Sequence, residues 1–165
     1  MGAEILSLLG DLHMYEQFMS RWFEIADGMM VLRPVYDIWI QEIWSEFGDL
    51  LSTFKTVEDL YGLSQLVWRN TMVSMPIDAH TSGKKWALLS TGKNLRWETV
   101  GLIFSGVGVL AGNLSDWDMI FTSTKDKIKD RPTLVNKMRD MMELVIGFCR
   151  DSECTNELFA CLLVS

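Results

Sequence analysis

Apolar side chains recur at three- and four-residue steps along most of this chain, which is the period of an amphipathic helix. The pattern is clearest over residues 11–25, where it predicts a first helix. A second helix is predicted over residues 35–54 after Arg33-Pro34, because proline suits the first turn of a helix. Its apolar residues exceed one narrow stripe, so we expect this helix to pack on two sides.

Capping residues indicate where the next helices begin. The Thr56 hydroxyl can cap free N–H groups together with Asp59, which predicts a third helix running to about Met72. A shorter polar helix capped by Ser115 is predicted over residues 116–129.

Two further helices are predicted near the end of the chain. Pro132 begins one that extends to about Arg150, and the last starts near Thr155. Alternating strand patterns and internal repeats are absent. The chain therefore predicts an all-α fold, a single domain of seven or eight packed helices over residues 1–165.

The segment 95–104, which is apolar apart from Arg96, Glu98 and Thr99, is followed by a glycine-rich stretch. Four glycines between residues 101 and 112 are poor helix formers, but their missing side chains allow another helix to approach closely. Since the apolar run is too short to span a bilayer, it predicts a buried, tightly crossed helix.

Composition fits one domain with a sizeable core, since 48% of the 165 residues are hydrophobic and 22% are charged. Seven Trp, eight Phe and eleven Met are unusually many. They indicate either a generous helical core or a Trp- and Met-lined pocket for an apolar small molecule. Both interpretations stay open at this point.

The charge pattern argues against contact with nucleic acid. A net charge of −7 repels phosphate backbones, and the only local basic cluster, Lys125 to Arg131, is interrupted by Asp126 and Asp130. The N-terminus has no secretory signal and no apolar run is long enough to cross a membrane. We therefore expect a soluble, unsecreted protein without direct nucleic-acid or membrane contact.

The usual signatures of catalysis are missing. Cys149, Cys154 and Cys161 have spacings that match no common zinc site, and His13 and His80 lie far apart. We expect no catalytic residue, no metal and no cofactor, hence no enzyme. A helical active site assembled from distant positions remains the alternative.

Arg96, Trp97 and Glu98 form the most distinctive polar cluster. Glu98 suits a helix N-terminus, and Arg96 is expected to pair with a carboxylate across a helix interface. The cluster is a candidate for fixing helix packing or, alternatively, for contacting a ligand.

The segment around this cluster resembles a known family. Residues 89–104 resemble the G-x-x-LRWE-x-x-G-L-x-F segment of the fungal transcription factor regulatory domain, the middle homology region downstream of a zinc-cluster DNA-binding domain. Residues 23–25 with 32–34 resemble its early helices. Phe148-Cys149 followed by Thr155-Asn156-Glu157-Leu158-Phe159 resembles its "FC … NEL" helix pair.

The resemblance implies an all-helical, nuclear regulatory domain that modulates transcription through dimerisation, intramolecular control or small-molecule sensing. No six-cysteine cluster precedes the domain, so DNA contact is not expected from this chain. The family domain continues past its Asn-Glu-Leu helix, whereas this chain stops at Ser165, so we expect a C-terminally truncated version.

The last helix carries apolar residues at its end. These either fold back onto the core or leave a partner-binding patch for another protein or a second copy. The candidate patch consists of Leu158, Phe159, Leu162 and Leu163. The sequence thus predicts a regulatory interaction domain, with a small-molecule-sensing domain as the alternative.

Overall fold

A computed structural model of the chain describes residues 1–25, 31–123, 131–153 and 155–165. Regular structure in these residues is helical throughout, which confirms the all-α prediction. Short 3-10 turns occupy Leu8–Asp11, Val57–Leu60 and Gly92–Asn94. The α-helices are α1 (Gly2–Ser7), α2 (Leu12–Ile25), α3 (Arg33–Thr53), α4 (Tyr61–Thr71), α5 (Gly83–Leu88), α6 (Trp97–Asn113), α7 (Met119–Ser123), α8 (Arg131–Asp151) and α9 (Glu157–Val164).

Most predicted helix starts coincide with the observed ones. Pro34 lies in the first turn of α3. The Thr56–Asp59 capping box is present, with Asp59 Oδ2 accepting from the Thr56 N–H at 3.0 Å, although it caps a 3-10 turn that leads into α4. Helices α1 and α5, six residues each, have no counterpart in the sequence prediction because they are too short to show periodicity.

The predicted helix over residues 116–129 starts later than expected. Residues 116–118 form a turn, and the Asp118 carboxylate accepts the Ile120 N–H at 3.1 Å, so Asp118 and not Ser115 caps α7. Residues 124–130, with most of the basic cluster, lie outside the described residues, as do the predicted helix stop at residues 26–28 and Cys154.

Helix α6 lies at the centre of the fold. It packs along α8 and also contacts α2, α4 and α9, and its residues from Trp97 to Val107 are all buried. Gly101 explains part of this close packing: a Cβ there would lie 2.8 Å from Leu162 Cδ1 and 2.9 Å from Val145 Cγ1. The prediction that this helix is buried is therefore confirmed.

Helix α9 folds back onto the core instead of presenting an apolar face. Leu158, Phe159 and Leu162 are buried, and only Leu163 of the candidate patch is exposed, at 50%. The prediction of a four-residue patch is thus wrong. The helical period turns Leu158 and Leu162 toward α6, where Gly101 leaves room for the Leu162 side chain.

Among the described residues, no helix combines the length and the apolar character needed to cross a bilayer.

Candidate functional site

Arg96 immediately precedes α6 in extended backbone and is almost wholly buried. Its guanidinium donates to three carbonyls at the end of α4: Nη1 to Asn70 O and Val73 O, both at 2.6 Å, and Nη2 to Thr71 O at 2.8 Å. The last carbonyls of a helix lack partners within the helix. Arg96 therefore caps the C-terminus of α4, where a positive charge is also favoured by the helix dipole.

Glu98 lies in the first turn of α6 and is fully buried. Its Oε1 is 3.0 Å from Arg96 Nη2, and Oε1 also accepts from Asn156 Nδ2 at 2.6 Å. Asn156 in turn caps α9, since its Oδ1 accepts the Phe159 N–H at 3.0 Å. One carboxylate thus connects α6 to α4 through Arg96 and to α9 through Asn156.

Thr71 completes this cluster. Its hydroxyl accepts the Trp97 N–H and donates to Val67 O, both at 2.9 Å. The first bond connects the end of α4 to the start of α6, and the second lies within α4. We call Thr71, Arg96, Glu98 and Asn156 the polar joint. Every charged group in it has hydrogen-bond partners, which is the condition under which buried charges are tolerated.

Arg96 pairs with the carboxylate of Glu98, two residues along the chain. Its hydrogen bonds to α4 are to backbone carbonyls. Residues two apart on one helix do not face each other. Arg96 meets Glu98 because it precedes the helix in extended backbone.

Trp97, between the two charges, has a different environment. Its ring contacts Phe148 of α8 at a centroid distance of 5.0 Å, and Phe148 contacts Trp68 of α4 edge-on at 6.2 Å. These three rings border an open cleft of about 380 Å³, which we call the aromatic cleft. It is lined by Gly2, Ser64, Gln65, Trp68, Arg69, Trp97 and Phe148.

The Trp and Met residues do not share one pocket. Two methionines, Met138 and Met142, border a smaller cleft of about 220 Å³ between α6 and α8. A third, more polar groove of about 560 Å³ runs between α2 and the residues around Asp118. Of these three clefts, the aromatic cleft is the one lined by a residue of the predicted cluster, Trp97.

Cys149 is the reactive group nearest the polar joint. Burial raises the pKa of the Cys149 thiol far above its usual range; the charge of Glu98 raises it further, and Arg96 opposes this. The thiol is therefore protonated at neutral pH, whereas a cysteine nucleophile requires the thiolate. In the part of the chain that the structure describes, no group of three His, Cys, Asp or Glu side chains converges as a metal site requires.

Sequence reasoning identified Arg96, Trp97 and Glu98 but missed the structural roles of Thr71, Asn156 and Trp68. Asn156 carried a signal, since asparagine before an acidic first turn is a common helix cap. Thr71 and Trp68 carried none, because their contacts come from residues 26 and 80 positions away.

Fold and geometry define an all-α domain with a buried polar joint beside an aromatic cleft. No family model matches the chain, and no curated protein or solved structure is significantly similar to it.

Proposed function

We propose that the chain is a regulatory interaction domain of a fungal transcription regulator. It makes no DNA contact itself and acts on a protein partner, on a second copy or on other parts of the same regulator. The chain resembles the fungal regulatory domain in its LRWE segment and in its "FC … NEL" helix pair. The supporting observation is that residues of these two segments contact each other. Trp97 packs on Phe148 at 5.0 Å, and Glu98 accepts from Asn156 at 2.6 Å.

Two properties support a binding role over catalysis. The polar side chains at the start of α6 are hydrogen-bonded to one another and to backbone, so they are not free to act on a substrate. The net charge of −7 opposes association with nucleic acid. A regulatory domain that works through protein contacts needs neither free catalytic side chains nor a surface that attracts nucleic acid.

A reporter assay tests this role. The chain is inserted between a heterologous DNA-binding domain and an activation domain in a fungal strain, and reporter output is compared with that of an inert helical spacer of equal length. We expect the chain to change output several-fold and the tagged chain to accumulate in the nucleus. Output equal to that of the spacer would contradict the proposal.

The matched controls separate regulation from loss of folding. Asp140→Ala changes an exposed carboxylate on α8 and should behave as the parent chain. Glu98→Ala disrupts the polar joint and should reduce the regulatory effect in proportion to the unfolded fraction that circular dichroism measures at the assay temperature. If a largely unfolded Glu98→Ala chain retained the full effect, the folded domain would not be its source.

The aromatic cleft favours a second candidate function, the sensing of a small molecule. It is open, bordered by three aromatic rings and within the size range of small-molecule sites. A ligand there would contact α4, α6 and α8 together, so its binding would stabilise the helices that the polar joint connects. A ligand-dependent rise in melting temperature measures this directly.

A further inference from the structure

One side of the aromatic cleft is a continuous face of α4. Ser64 and Trp68 lie four residues apart, as do Gln65 and Arg69, so the four side chains form neighbouring rows on one helix surface. The opposite side is formed by Trp97, Phe148 and Gly2. The cleft therefore has rings from both sides and an arginine on the α4 side.

The rings of the cleft offer both faces and edges to an aromatic ligand. Trp68 and Phe148 meet edge to face with an interplanar angle of 87°, and Trp97 is tilted by 55° to Phe148. Trp68 and Phe148 are only half-buried, so their surfaces are available to a ligand. An aromatic molecule gains both burial and ring–ring contact at such a place.

The polar groups of the cleft lack partners. Trp97 Nε1 is buried and has no hydrogen-bond acceptor among the described residues. The ring edge next to this nitrogen faces Gly2, since Trp97 Cζ2 would lie 3.2 Å from a Cβ placed there. Ser64, Gln65 and Arg69 also make no side-chain hydrogen bond or ion pair in the part of the chain that the structure describes.

The unpartnered groups have a consistent charge preference. Arg69 carries a positive charge, an indole N–H is a donor only, and no Asp or Glu lines the cleft. Arginine recognises carboxylates through paired N–H donors. An anionic ligand group is therefore favoured beside Arg69, although the chain as a whole is acidic.

We propose that the aromatic cleft binds a planar aromatic carboxylate. Its ring lies against the half-buried rings of Trp68 and Phe148, its carboxylate is held by Arg69, and the almost fully buried Trp97 borders the site. This inference rests on the second proposed function, small-molecule sensing, and names its ligand class. A cleft of about 380 Å³ has room for one or two fused rings.

The probe is 2-naphthoate, compared with its neutral analogue 2-naphthamide. Each is titrated into the ¹⁵N-labelled chain while the assigned indole N–H resonance of Trp97 is followed, and affinities are measured by calorimetry. We expect naphthoate to shift the Trp97 resonance with saturation and to bind at least about tenfold more tightly than the amide, because only the acid pairs with Arg69.

Matched variants assign the binding to this cleft. Arg69→Gln should weaken naphthoate about tenfold and leave the amide unchanged, whereas Arg33→Gln, an exposed arginine on α3, should change neither. Trp68→Ala should abolish binding of both probes. Trp117→Ala, which removes a tryptophan that is 87% exposed, should leave both affinities as they are.

Three results would overturn the inference: an unshifted Trp97 resonance at millimolar probe, equal affinity for acid and amide, or a normal affinity in Arg69→Gln. Circular dichroism of each variant verifies that the fold is intact. None of these results affects the reporter assay, so the ligand inference can fail while the regulatory role stands.

Discussion

Three consecutive residues belong to two regions of opposite character. Arg96 and Glu98 lie in the polar joint, where each has several hydrogen-bond partners and almost no exposure to solvent. Trp97 lies between them but borders the aromatic cleft, where its indole nitrogen has no partner among the described residues. Satisfied polar groups fix a structure. The exposed Arg69 and the half-buried rings of Trp68 and Phe148 are what the cleft offers to a ligand.

The largest predicted effect comes from breaking the polar joint. Glu98→Ala leaves the Arg96 guanidinium buried without its carboxylate, so we expect a loss of about 3–5 kcal/mol in the free energy of unfolding. Urea denaturation measures this. Asp140→Ala, which removes one partner of an exposed pair, should change stability by less than about 0.5 kcal/mol. Comparable losses in both variants would contradict the structural role of Glu98.

A second variant tests the connection between the polar joint and the last helix. Asn156→Ala removes both the cap of α9 and the hydrogen bond to Glu98, and we expect a loss of about 2–3 kcal/mol. Hydrogen exchange should then be faster in α9 than in α8. Unchanged protection of α9 would show that its packing alone is sufficient.

The sequence pattern predicted the long helices because their periodicity and capping residues are local. It also identified residues 96–98, where an arginine immediately precedes an apolar helix and a glutamate lies in the first turn of that helix. The polar joint itself was not predictable, because Thr71 and Asn156 reach it through contacts between residues 26 and 58 positions apart. Such contacts depend on how the helices pack, and the spacing of residues along the chain does not predict them.

The apolar residues of α9 are a second place where the sequence pattern could not predict the contacts. Apolar residues such as Leu158 and Leu162 occur both in exposed binding patches and in cores, and the sequence pattern did not distinguish the two locations. Gly101 decides between them, because its missing side chain lets Leu162 approach α6. The steric fit between Gly101 and Leu162, 61 positions apart, cannot be predicted from the sequence of either segment alone.

A third variant tests this close approach. Gly101→Ala places a Cβ within 3 Å of Leu162 and Val145, and we expect a loss of about 1–3 kcal/mol from overpacking. The matched control is Gly112→Ala on the same helix, where nothing lies within 4 Å. That substitution should stabilise the chain by about 0.5–1 kcal/mol, because alanine is the better helix former. Thermal unfolding of the two variants measures both stability changes. If both substitutions destabilised the chain, or both stabilised it, the packing argument would be refuted.

The smallest effect is expected in the aromatic cleft. Arg69→Gln removes an exposed charge that has no partner among the described residues, so stability should change by less than about 0.5 kcal/mol. Urea denaturation in the absence of ligand measures this change. A loss near that of Glu98→Ala would place Arg69 in the structural region instead of the cleft.

The central claim is that the pair of charges flanking Trp97 works as one structural unit. A double-mutant cycle on Arg96→Met and Glu98→Leu, measured by equilibrium urea unfolding, tests it most directly. The account predicts that the double variant is more stable than the sum of the single losses implies, with a coupling energy of about 2 kcal/mol. A coupling energy near zero would mean that the two residues act independently, and would contradict the account.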